Sequence, residues 1–414
     1  MKKSDEGINV WYVHPYAGGP GVGRYSRPYF LAKNWIASGA RATVFSASFH
    51  HLLDSQQNEG QRIVENVPYE FVKSPEYHGN GLRRLFNMVQ FSYNFFRNAS
   101  EYASKYGKPD LIIASSPHPY IFLATHAVAK RYNAKSFFEV RDLWPLSLIE
   151  LAGVSPVHPL IIFTKWIERF SYKKADRVVS LLPLTREYML KRGVDLDRWA
   201  CIPNGIDSGE VDKHQKNHPC IALARKWSTE GFTVFAYTGA LGRPNHVESL
   251  IHAVNVLKKK GSHDVKVIII GRGEQESGLR RLVSEMELMD DVVIFGQAPK
   301  SEVMGLLREV DAGYISLRPE PIFRFGISPN KLFDYMLAGL PVIFSIDAGN
   351  NPVAEAECGF TVPPGDANFI AQAMLSVSNL SREERREMGG RGRSYVLKNH
   401  GYSQLANSYL ELMG

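Results

Sequence analysis

The sequence predicts an α/β protein made of two doubly wound domains, each with a parallel sheet covered by helices on both faces. The chain has 414 residues, which at roughly 100–200 residues per domain corresponds to two or three domains. Hydrophobic residues make up 44% and charged residues 22%, as in ordinary soluble globular proteins. In both halves, short β-branched runs alternate with longer helical patterns, and this alternation is typical of parallel sheets.

The first half carries six strand candidates and three long helical patterns. The predicted strands are Ile8–His14, Ala42–Ser46, Leu111–Ser115, Ser136–Val140, Arg177–Leu182 and Ala200–Ile202. The predicted helices are Arg24–Ser38, Leu82–Tyr106 and Pro119–Arg131.

The second half repeats the scheme. Its predicted strands are Thr233–Thr238, Val265–Ile270, Val292–Phe295, Ala312–Ile315, Pro341–Phe344 and Gly359–Val362. Its predicted helices are Val247–Lys260, Gly278–Met286, Lys300–Glu309, Asn330–Ala338 and Ala367–Ser378.

The turn-rich stretch Pro203–Asp207, followed by polar Glu210–His218, predicts the boundary between the halves. We therefore expect domains at 1–205 and 206–395. A third segment, 396–414, contains a last helix that can pack back on the first domain.

Cysteines and apolar runs exclude several classes of protein. Three scattered cysteines, Cys201, Cys220 and Cys358, fit neither a disulfide framework nor a zinc site, and they suggest a reducing compartment. The charged stretch Met1–Gly7 lacks the apolar segment of a signal peptide. The longest apolar runs, such as Val265–Ile270, are strand-sized and far short of the about 20 residues that span a bilayer.

The net charge of +7 is unevenly distributed. Residues 1–205 contain 26 basic and 17 acidic side chains, a surplus of +9, whereas residues 206–414 contain 23 and 25, a balance of −2. Such a surplus suits nucleic acid, an anionic membrane or phosphate-bearing ligands.

Glycine-rich turns follow the predicted strands, and ligands of parallel α/β sheets bind at the carboxyl ends of strands. The first turn, around Gly21, could approach an anion or could simply be flexible; its spacing and Pro20 disfavour a nicotinamide or flavin site. In the second half, the turn with Gly239 and Arg243 could hold a phosphate. Two further turns could hold a nucleoside; they carry Gly271, Arg272, Gly296 and Gln297.

The segment Phe323–Ile343 is the most informative. Ser328-Pro329-Asn330 predicts a helix start with a hydroxyl cap and proline at the first position. Lys331 in the first turn is unfavourable there unless an anion is bound. Asp334 shares its face and could accept hydrogen bonds from a ribose, or the two could form a surface ion pair of little value.

Two polar turns in the first half could contribute catalytic or acceptor contacts. His118 follows the strand Leu111–Ser115, and Arg141 and Asp142 follow Glu139 at the end of another strand. The alternatives are a structural histidine and a local Glu–Arg–Asp ion network.

Two helical patterns combine basic and aromatic residues in the way of interfacial membrane helices. For Leu82–Arg97, a membrane face and an ordinary core helix are both open. For Pro159–Lys174 we expect a core helix.

Taken together, these motifs resemble the retaining GT-B glycosyltransferases of the large family that includes many bacterial polysaccharide enzymes. The most specific parts are Ala175–Val179, Ile202–Asp207 (I-P-N-G-I-D) and Ser328–Val342. Phe138–Pro145 and Gly326–Met336 look like a subgroup close to the L-fucosamine transferases of O-antigen and capsule assembly.

This resemblance implies two Rossmann-like domains facing across a cleft, with a UDP-sugar bound by the second domain and an acceptor by the first. Transfer would retain the anomeric configuration without a metal or other cofactor. The donor would be an N-acetylated deoxyhexosamine sugar and the acceptor a polyprenyl-diphosphate-linked or other saccharide. Such an enzyme would be cytoplasmic and peripheral on the anionic inner membrane, with no nucleic acid partner.

The resemblance also assigns roles. Gly21, Gly239, Arg243 and Ser328–Lys331 would bind the donor diphosphate, Asp334 the ribose, and His118, Arg141 and Asp142 would orient sugar and acceptor. The chain departs from the family pattern, because Asn245-His246 stands where Lys-Gly is usual and the earlier of two usual glutamates is missing. We expect Lys331 to supply the missing cation.

Other functions fit the fold less well. A UDP-N-acetylglucosamine 2-epimerase-like enzyme is the alternative on the same fold, and a phosphorylase would need a lysine for pyridoxal phosphate. Nucleic-acid binding is suggested only by the isoelectric point of about 9.1, without a recognisable motif.

Overall fold

A computed structural model describes residues 7–79, 81–210 and 218–414. Most of the charged N-terminal stretch and of the polar segment after Glu210 lies outside these ranges. The chain divides into two compact units: unit 1 comprises Met1–Asn204 and Tyr402–Gly414, and unit 2 comprises Gly205–Gly401.

Unit 1 is built on one eight-stranded sheet. Its strands are β1 (Asn9–Val13), β2 (Arg41–Ala47), β3 (Gly60–Val64), β4 (Val67–Val72), β5 (Leu111–Ser115), β6 (Lys135–Val140), β7 (Arg177–Ser180) and β8 (Trp199–Cys201). Its helices before the boundary are α1 (Arg27–Ala37), α2 (Leu82–Arg97), α3 (Ala99–Tyr106), α4 (Tyr120–Tyr132), α5 (Leu146–Glu150), α6 (Pro159–Lys174) and α7 (Arg186–Leu190).

Unit 2 is built on a six-stranded sheet. Its strands are β9 (Thr233–Thr238), β10 (Val265–Ile270), β11 (Val292–Phe295), β12 (Ala312–Ser316), β13 (Val342–Ser345) and β14 (Gly359–Thr361). Its helices are α8 (Pro219–Thr229), α9 (Glu248–Lys259), α10 (Glu276–Glu285), α11 (Lys300–Leu307), α12 (Asn330–Leu337), α13 (Pro352–Glu355), α14 (Ala367–Asn379) and α15 (Arg382–His400). The chain then returns to unit 1 as α16 (Tyr402–Glu411).

The order of strands confirms the doubly wound fold. The first sheet runs β3-β4-β2-β1-β5-β6-β7-β8 and the second β11-β10-β9-β12-β13-β14. From β1, and likewise from β9, the chain builds the sheet outward in both directions. Right-handed crossovers then place successive helices on opposite faces, and the carboxyl ends of the central strands open a crevice where ligands bind in such folds.

The prediction missed two strands, β3 and β4, at one edge of the first sheet. There β3 pairs antiparallel with β4 through a tight turn at Glu65 and Asn66, both with positive φ. A two-residue turn of this kind suits a β-hairpin, but β3 is mostly exposed and lacks the apolar run that marks a strand. The predicted helix Leu82–Tyr106 is also two helices, which meet at Asn98.

A buried ion pair organises unit 1. Arg27 on α1 donates to Glu139 on β6, with 3.1 Å between Nη2 and Oε2, and both side chains are almost fully buried. Glu139 also accepts hydrogen bonds from the hydroxyls of Tyr12, Ser115 and Tyr409. Burial alone would raise the pKa of Glu139, but Arg27 and the three hydroxyls hold this pKa below its usual value.

The same arginine contacts both chain segments of unit 1. Its guanidinium donates to the backbone oxygens of Ile202 and Pro203, next to the end of the first segment of unit 1. It also donates to the Tyr409 hydroxyl on α16, at 3.1 Å. The segment that leaves unit 1 and the helix that returns are therefore joined at one buried cation.

We predict that Glu139→Gln lowers the free energy of unfolding by about 3–5 kcal/mol, because it leaves Arg27 buried without its counter-charge. Urea unfolding followed by circular dichroism measures this change. Glu230→Gln is the matched control, since Glu230 meets Lys226 only at the surface of unit 2, at 3.8 Å. An equally small effect of both substitutions would contradict the role given to the pair.

Candidate functional site

In unit 2, the loops after β9 and β10 interlock at the centre of the sheet. The Gly239 amide donates to Ile270 O and the Leu241 amide to Arg272 O, both at 2.9 Å. A Cβ at Gly271 would lie 1.8 Å from Gly239 O, and one at Gly273 would lie 2.3 Å from Leu241 O. Only glycine permits this approach, so both loops are held in one arrangement.

Lys331 reaches from the first turn of α12 to the turn after β9. Its Nζ donates to the Tyr237 hydroxyl at 2.8 Å and to Asn245 Oδ1 at 2.6 Å. The ammonium also lies over the Tyr237 ring, 4.5 Å from its centroid. A Cβ at Gly239, where φ is +144°, would lie 3.1 Å from Nζ.

The surroundings of Lys331 are neutral. Within the described residues no carboxylate forms an ion pair with it; its two partners are a phenol and an amide. Burial without a counter-charge lowers the pKa of Lys331 from 10.5 to about 7. A bound anion would restore its charge, so the geometry suits a phosphate at the β9 turn.

Helix α12 is held in place from both ends. The Tyr335 hydroxyl accepts a hydrogen bond from the Thr238 amide at 2.8 Å, and the Tyr335 ring packs where Gly313 has no side chain. Before the helix, the Ile327 amide donates to Asn350 Oδ1 at 2.7 Å. Lys331 is thereby fixed relative to the end of β9.

The predicted cap of this helix was wrong by one residue. Pro329, with an extended backbone (ψ 125°), is the N-cap, and Asn330 is the first helical residue. Pro329 has no side-chain group that could cap the helix, so the N-cap position itself supplies no side-chain hydrogen bond.

Asp334 is nearly buried and is paired with Lys300 at the start of α11 rather than with Lys331. The contact joins its Oδ1 to the lysine. The two charges that share a face of α12 thus have different partners on different loops.

The remaining residues predicted for unit 2 line the same edge. Arg243 is exposed; its amide donates to Glu274 Oε1 and its carbonyl accepts from Arg318. Arg272 and Gln297 are exposed, and the Arg272 side chain passes Gly296, with Nε 3.9 Å from where a Cβ would be. Lys300 links this neighbourhood to Asp334.

In unit 1, the guanidinium of Arg141 contacts the rings of Tyr25 and His14. Its guanidinium is 3.7 Å from the centroid of Tyr25, and its Nη1 is 3.0 Å from His14 Nε2. The Tyr16 amide donates to the other nitrogen of His14, at 2.9 Å. Within the described chain Arg141 forms no ion pair, and its Nε is buried without a partner. Burial, then Arg141, keeps the pKa of His14 well below its ordinary value.

His118 is fully buried beside Tyr120 and Trp144. Neither of its ring nitrogens has a hydrogen-bond partner among the described residues. Burial, followed by the nearby Arg84, lowers its pKa to about 3, so the ring is neutral near pH 7. A buried imidazole with both nitrogens unused is expensive, which is a reason to place a ligand or water beside it.

The local Glu–Arg–Asp network left open above is not formed. Glu139 faces Arg27 inside the unit, whereas Arg141 faces His14 and Tyr25, and Asp142 is exposed. Of the three ionisable residues, only Arg141 and Asp142 remain for contacts with a substrate.

The turn at Gly21 is less open to an anion than its glycines suggest. The amides of Gly18, Gly19, Val22 and Gly23 donate to carbonyl oxygens of Tyr25, Gly19 and Gly23 within the turn. Gly21 itself is exposed, with φ +65°.

No metal site or membrane span is evident in the parts described. Among those residues, no group of three or more His, Cys, Asp and Glu side chains is placed to hold an ion. In the same ranges, no helix is long and apolar enough to cross a membrane.

Two family models match the chain, one in each unit. Residues 21–205 match the "Glycosyl transferase 4-like domain" and residues 233–379 match "Glycosyl transferases group 1".

Curated relatives carry related names. The chain is 22% identical to the probable glycosyltransferase WbjE of Pseudomonas aeruginosa, over 82% of both proteins. It is 30% identical to the putative colanic acid biosynthesis glycosyltransferase WcaL of Escherichia coli K12, over 56% of this chain and 54% of that one.

Solved structures share the whole fold. The sucrose-phosphate synthase of Thermosynechococcus elongatus has a TM-score of 0.73 at 18% identity, and Anabaena HepE, solved with UDP and glucose, has 0.66 at 14%; each comparison covers 98% of both chains. A putative UDP-N-acetylglucosamine 2-epimerase of Listeria monocytogenes scores 0.61 at 13%, covering 98% of this chain and 95% of that one. These likenesses identify the fold as GT-B.

We predict that Lys331 titrates near pH 7 in the ligand-free protein, because burial disfavours its charged form. Nuclear magnetic resonance of ¹³C-labelled lysine side chains measures this midpoint, and the signal absent from Lys331→Arg identifies the residue. A midpoint near 10, like that of exposed lysines, would refute the description of the site.

Proposed function

We propose that this chain, a glycosyltransferase of the group 1 kind, transfers a sugar from a UDP-sugar to a saccharide or lipid-diphosphate-linked acceptor in bacterial surface polysaccharide synthesis, with retention at the anomeric carbon. The observation that carries the proposal is Lys331, which has no acidic partner among the described residues and contacts Tyr237 and Asn245 beside the turn after β9. The relative named for colanic acid biosynthesis supports the biological setting.

The leaving diphosphate would lie at the β9 turn. Lys331 would bind it from one side and Arg243 from the exposed rim, while Gly239 leaves room for its oxygens. The first amides of α12, after Ser328, Pro329 and Asn330, add the positive end of a helix dipole. Negative charge grows on the diphosphate as the glycosidic bond breaks, and fixed cations stabilise that charge without reorganising.

The nucleoside would extend over the loops after β10 and β11. Gly271, Arg272, Gly296 and Gln297 would contact the base and ribose. Asp334 has its Oδ1 committed to Lys300, so its second oxygen would accept from a ribose hydroxyl. UDP is the nucleotide we propose, and the HepE structure, solved with UDP and glucose, shows that a protein of this fold binds it.

Unit 1 would bind the acceptor. Within the described residues Arg141 has no acidic partner, so it suits a phosphate of a lipid-linked acceptor, and the two ring nitrogens of His118, which have no partner in the same ranges, would bind hydroxyl groups. Asp142 would orient the attacking hydroxyl, and Gly21 would contribute to the diphosphate only if its turn opened. The leaving phosphate can take the proton in a retaining transfer, so the scheme needs neither a strong protein base nor a metal.

Sugar and location follow from the subgroup resemblance and the charge. We propose an N-acetylated deoxyhexosamine as the donor sugar. The +9 surplus of residues 1–205 supports a site of action on the anionic cytoplasmic face of the inner membrane.

We predict that the protein binds UDP and that Lys331→Met weakens binding by about 10- to 100-fold, the effect of losing one charged hydrogen bond to the diphosphate. Isothermal titration calorimetry measures both constants. Since only protonated Lys331 pairs with the diphosphate, wild-type affinity should fall as the pH rises above about 7.

Lys259→Met, which removes an exposed cation at the end of α9, is the matched control and should bind UDP like the wild type. The proposal fails if wild-type protein does not bind UDP, or if Lys331→Met binds it unchanged.

A further inference from the structure

Helix α2 presents an apolar stripe to solvent. Phe86, Val89, Tyr93 and Phe96 are 60%, 51%, 58% and 36% exposed, and their spacing places them on one side of the helix. Monomeric proteins rarely leave such contiguous apolar surface uncovered unless it binds something. The stripe is therefore not the core face of α2.

Helix α6 also presents apolar side chains to solvent, although we expected it to be a core helix. Ile162, Phe163 and Trp166 are 56%, 53% and 57% exposed. The helix buries its other side through Ile161, Thr164 and Ile167, among others. The expectation was wrong because the apolar residues of Pro159–Lys174 cover two faces of the helix, of which only one packs on the unit.

The charges around both stripes have one sign. Helix α2 contains no acidic residue and exposes Arg83 and Arg97. The sole acid of α6, Glu168, is buried against Arg192 and Tyr188. The exposed basic residues of α6 are Lys165, Arg169, Lys173 and Lys174.

The two helices belong to one layer. Helix α4 packs against both α2 and α6, and against β5 and β6. Its exposed residues, Ala127, Lys130 and Arg131, are small or basic. The other face of the sheet is covered by α1 and α16, which pack on each other. We call the exposed side of α2, α4 and α6 the α2–α6 surface.

We infer that the α2–α6 surface docks unit 1 on an anionic phospholipid bilayer. Tyrosine and tryptophan favour the headgroup region, where their rings are apolar and their polar atoms stay wet. Lysine and arginine add about 1 kcal/mol each near an anionic surface. The exposed aromatic and basic side chains of α2 and α6 together match both requirements.

This inference rests on the proposed function in one respect: an acceptor carried on a lipid would be met at the same surface. Docking itself depends only on unit 1. Binding of UDP, which we place in unit 2, can therefore succeed or fail independently of it.

The test is co-sedimentation of the full chain with vesicles of phosphatidylcholine, with or without about 30% phosphatidylglycerol. We expect retention only with phosphatidylglycerol at low salt, and a blue shift of tryptophan emission that Trp166→Ser abolishes. Phe163→Ser/Trp166→Ser and Arg169→Glu/Lys173→Glu should each lower the partition coefficient at least about tenfold.

Matched controls lie in unit 2. Met289→Ser/Phe369→Ser removes side chains that are 65% and 50% exposed, and Lys259→Glu/Lys260→Glu reverses two exposed lysines. Both should sediment like the wild type, and all variants should keep wild-type UDP affinity.

Three results would overturn the inference. The first is equal retention on neutral vesicles, and the second is unchanged retention of both unit 1 variants. The third is a concentration-dependent dimer, seen by light scattering and lost in Phe163→Ser/Trp166→Ser, which would assign the surface to a second copy of the chain. Absence of UDP binding with normal vesicle retention would instead refute the proposed function alone.

Discussion

The buried pair of Arg27 and Glu139 is the constraint on which unit 1 depends. It ties α1 to the middle of the sheet, and through one guanidinium it also holds Ile202, Pro203 and α16. The chain leaves and re-enters unit 1 at that place, so one buried guanidinium contacts both segments. A buried charge pair is poor evidence of extra stability. Here, however, each partner also forms hydrogen bonds with several further groups, and removing either partner would leave those groups buried without it.

Glu139 is paired in the interior of unit 1, and this pairing determines which charged residues remain at the carboxyl edge of the first sheet. Glu139 pairs with Arg27, so it does not pair with Arg141, the next charged residue along the chain. Arg141 contacts Tyr25 and His14 instead. Unit 2 also pairs an acid with a distant cation instead of the cation near it in sequence. There Asp334 pairs with Lys300, and the partners of Lys331 among the described residues are neutral. In both units, within the described residues, an acid pairs with a distant cation, and the cation two or three residues away from it in sequence has no acidic partner.

Much of the fold could be predicted because strands such as Val265–Ile270 are apolar apart from one lysine, Lys266, and are followed directly by a glycine. The strand β3 could not, since an exposed edge strand needs no apolar pattern. The loops of the unit 2 site were predictable from their glycines. The roles of Tyr237 and Asn245 were not, because they depend on how far Lys331 reaches across the sheet. The exposed face of α6 was not predicted, for a similar reason. An apolar residue in the sequence indicates that its side chain avoids water, but it does not indicate which surface covers that side chain.

We propose that Lys331 brings a cation to the place where Asn245 stands instead of a lysine. Its Nζ is 2.6 Å from Asn245 Oδ1, so a lysine at position 245 could deliver the same charge from the opposite side. The most direct measurement is UDP affinity, by calorimetry, of Lys331→Met with and without Asn245→Lys. We predict that Asn245→Lys restores the affinity of Lys331→Met to within about tenfold of the wild type. A folded double variant that binds UDP no better than Lys331→Met alone would show that a cation at this place does not bind the diphosphate.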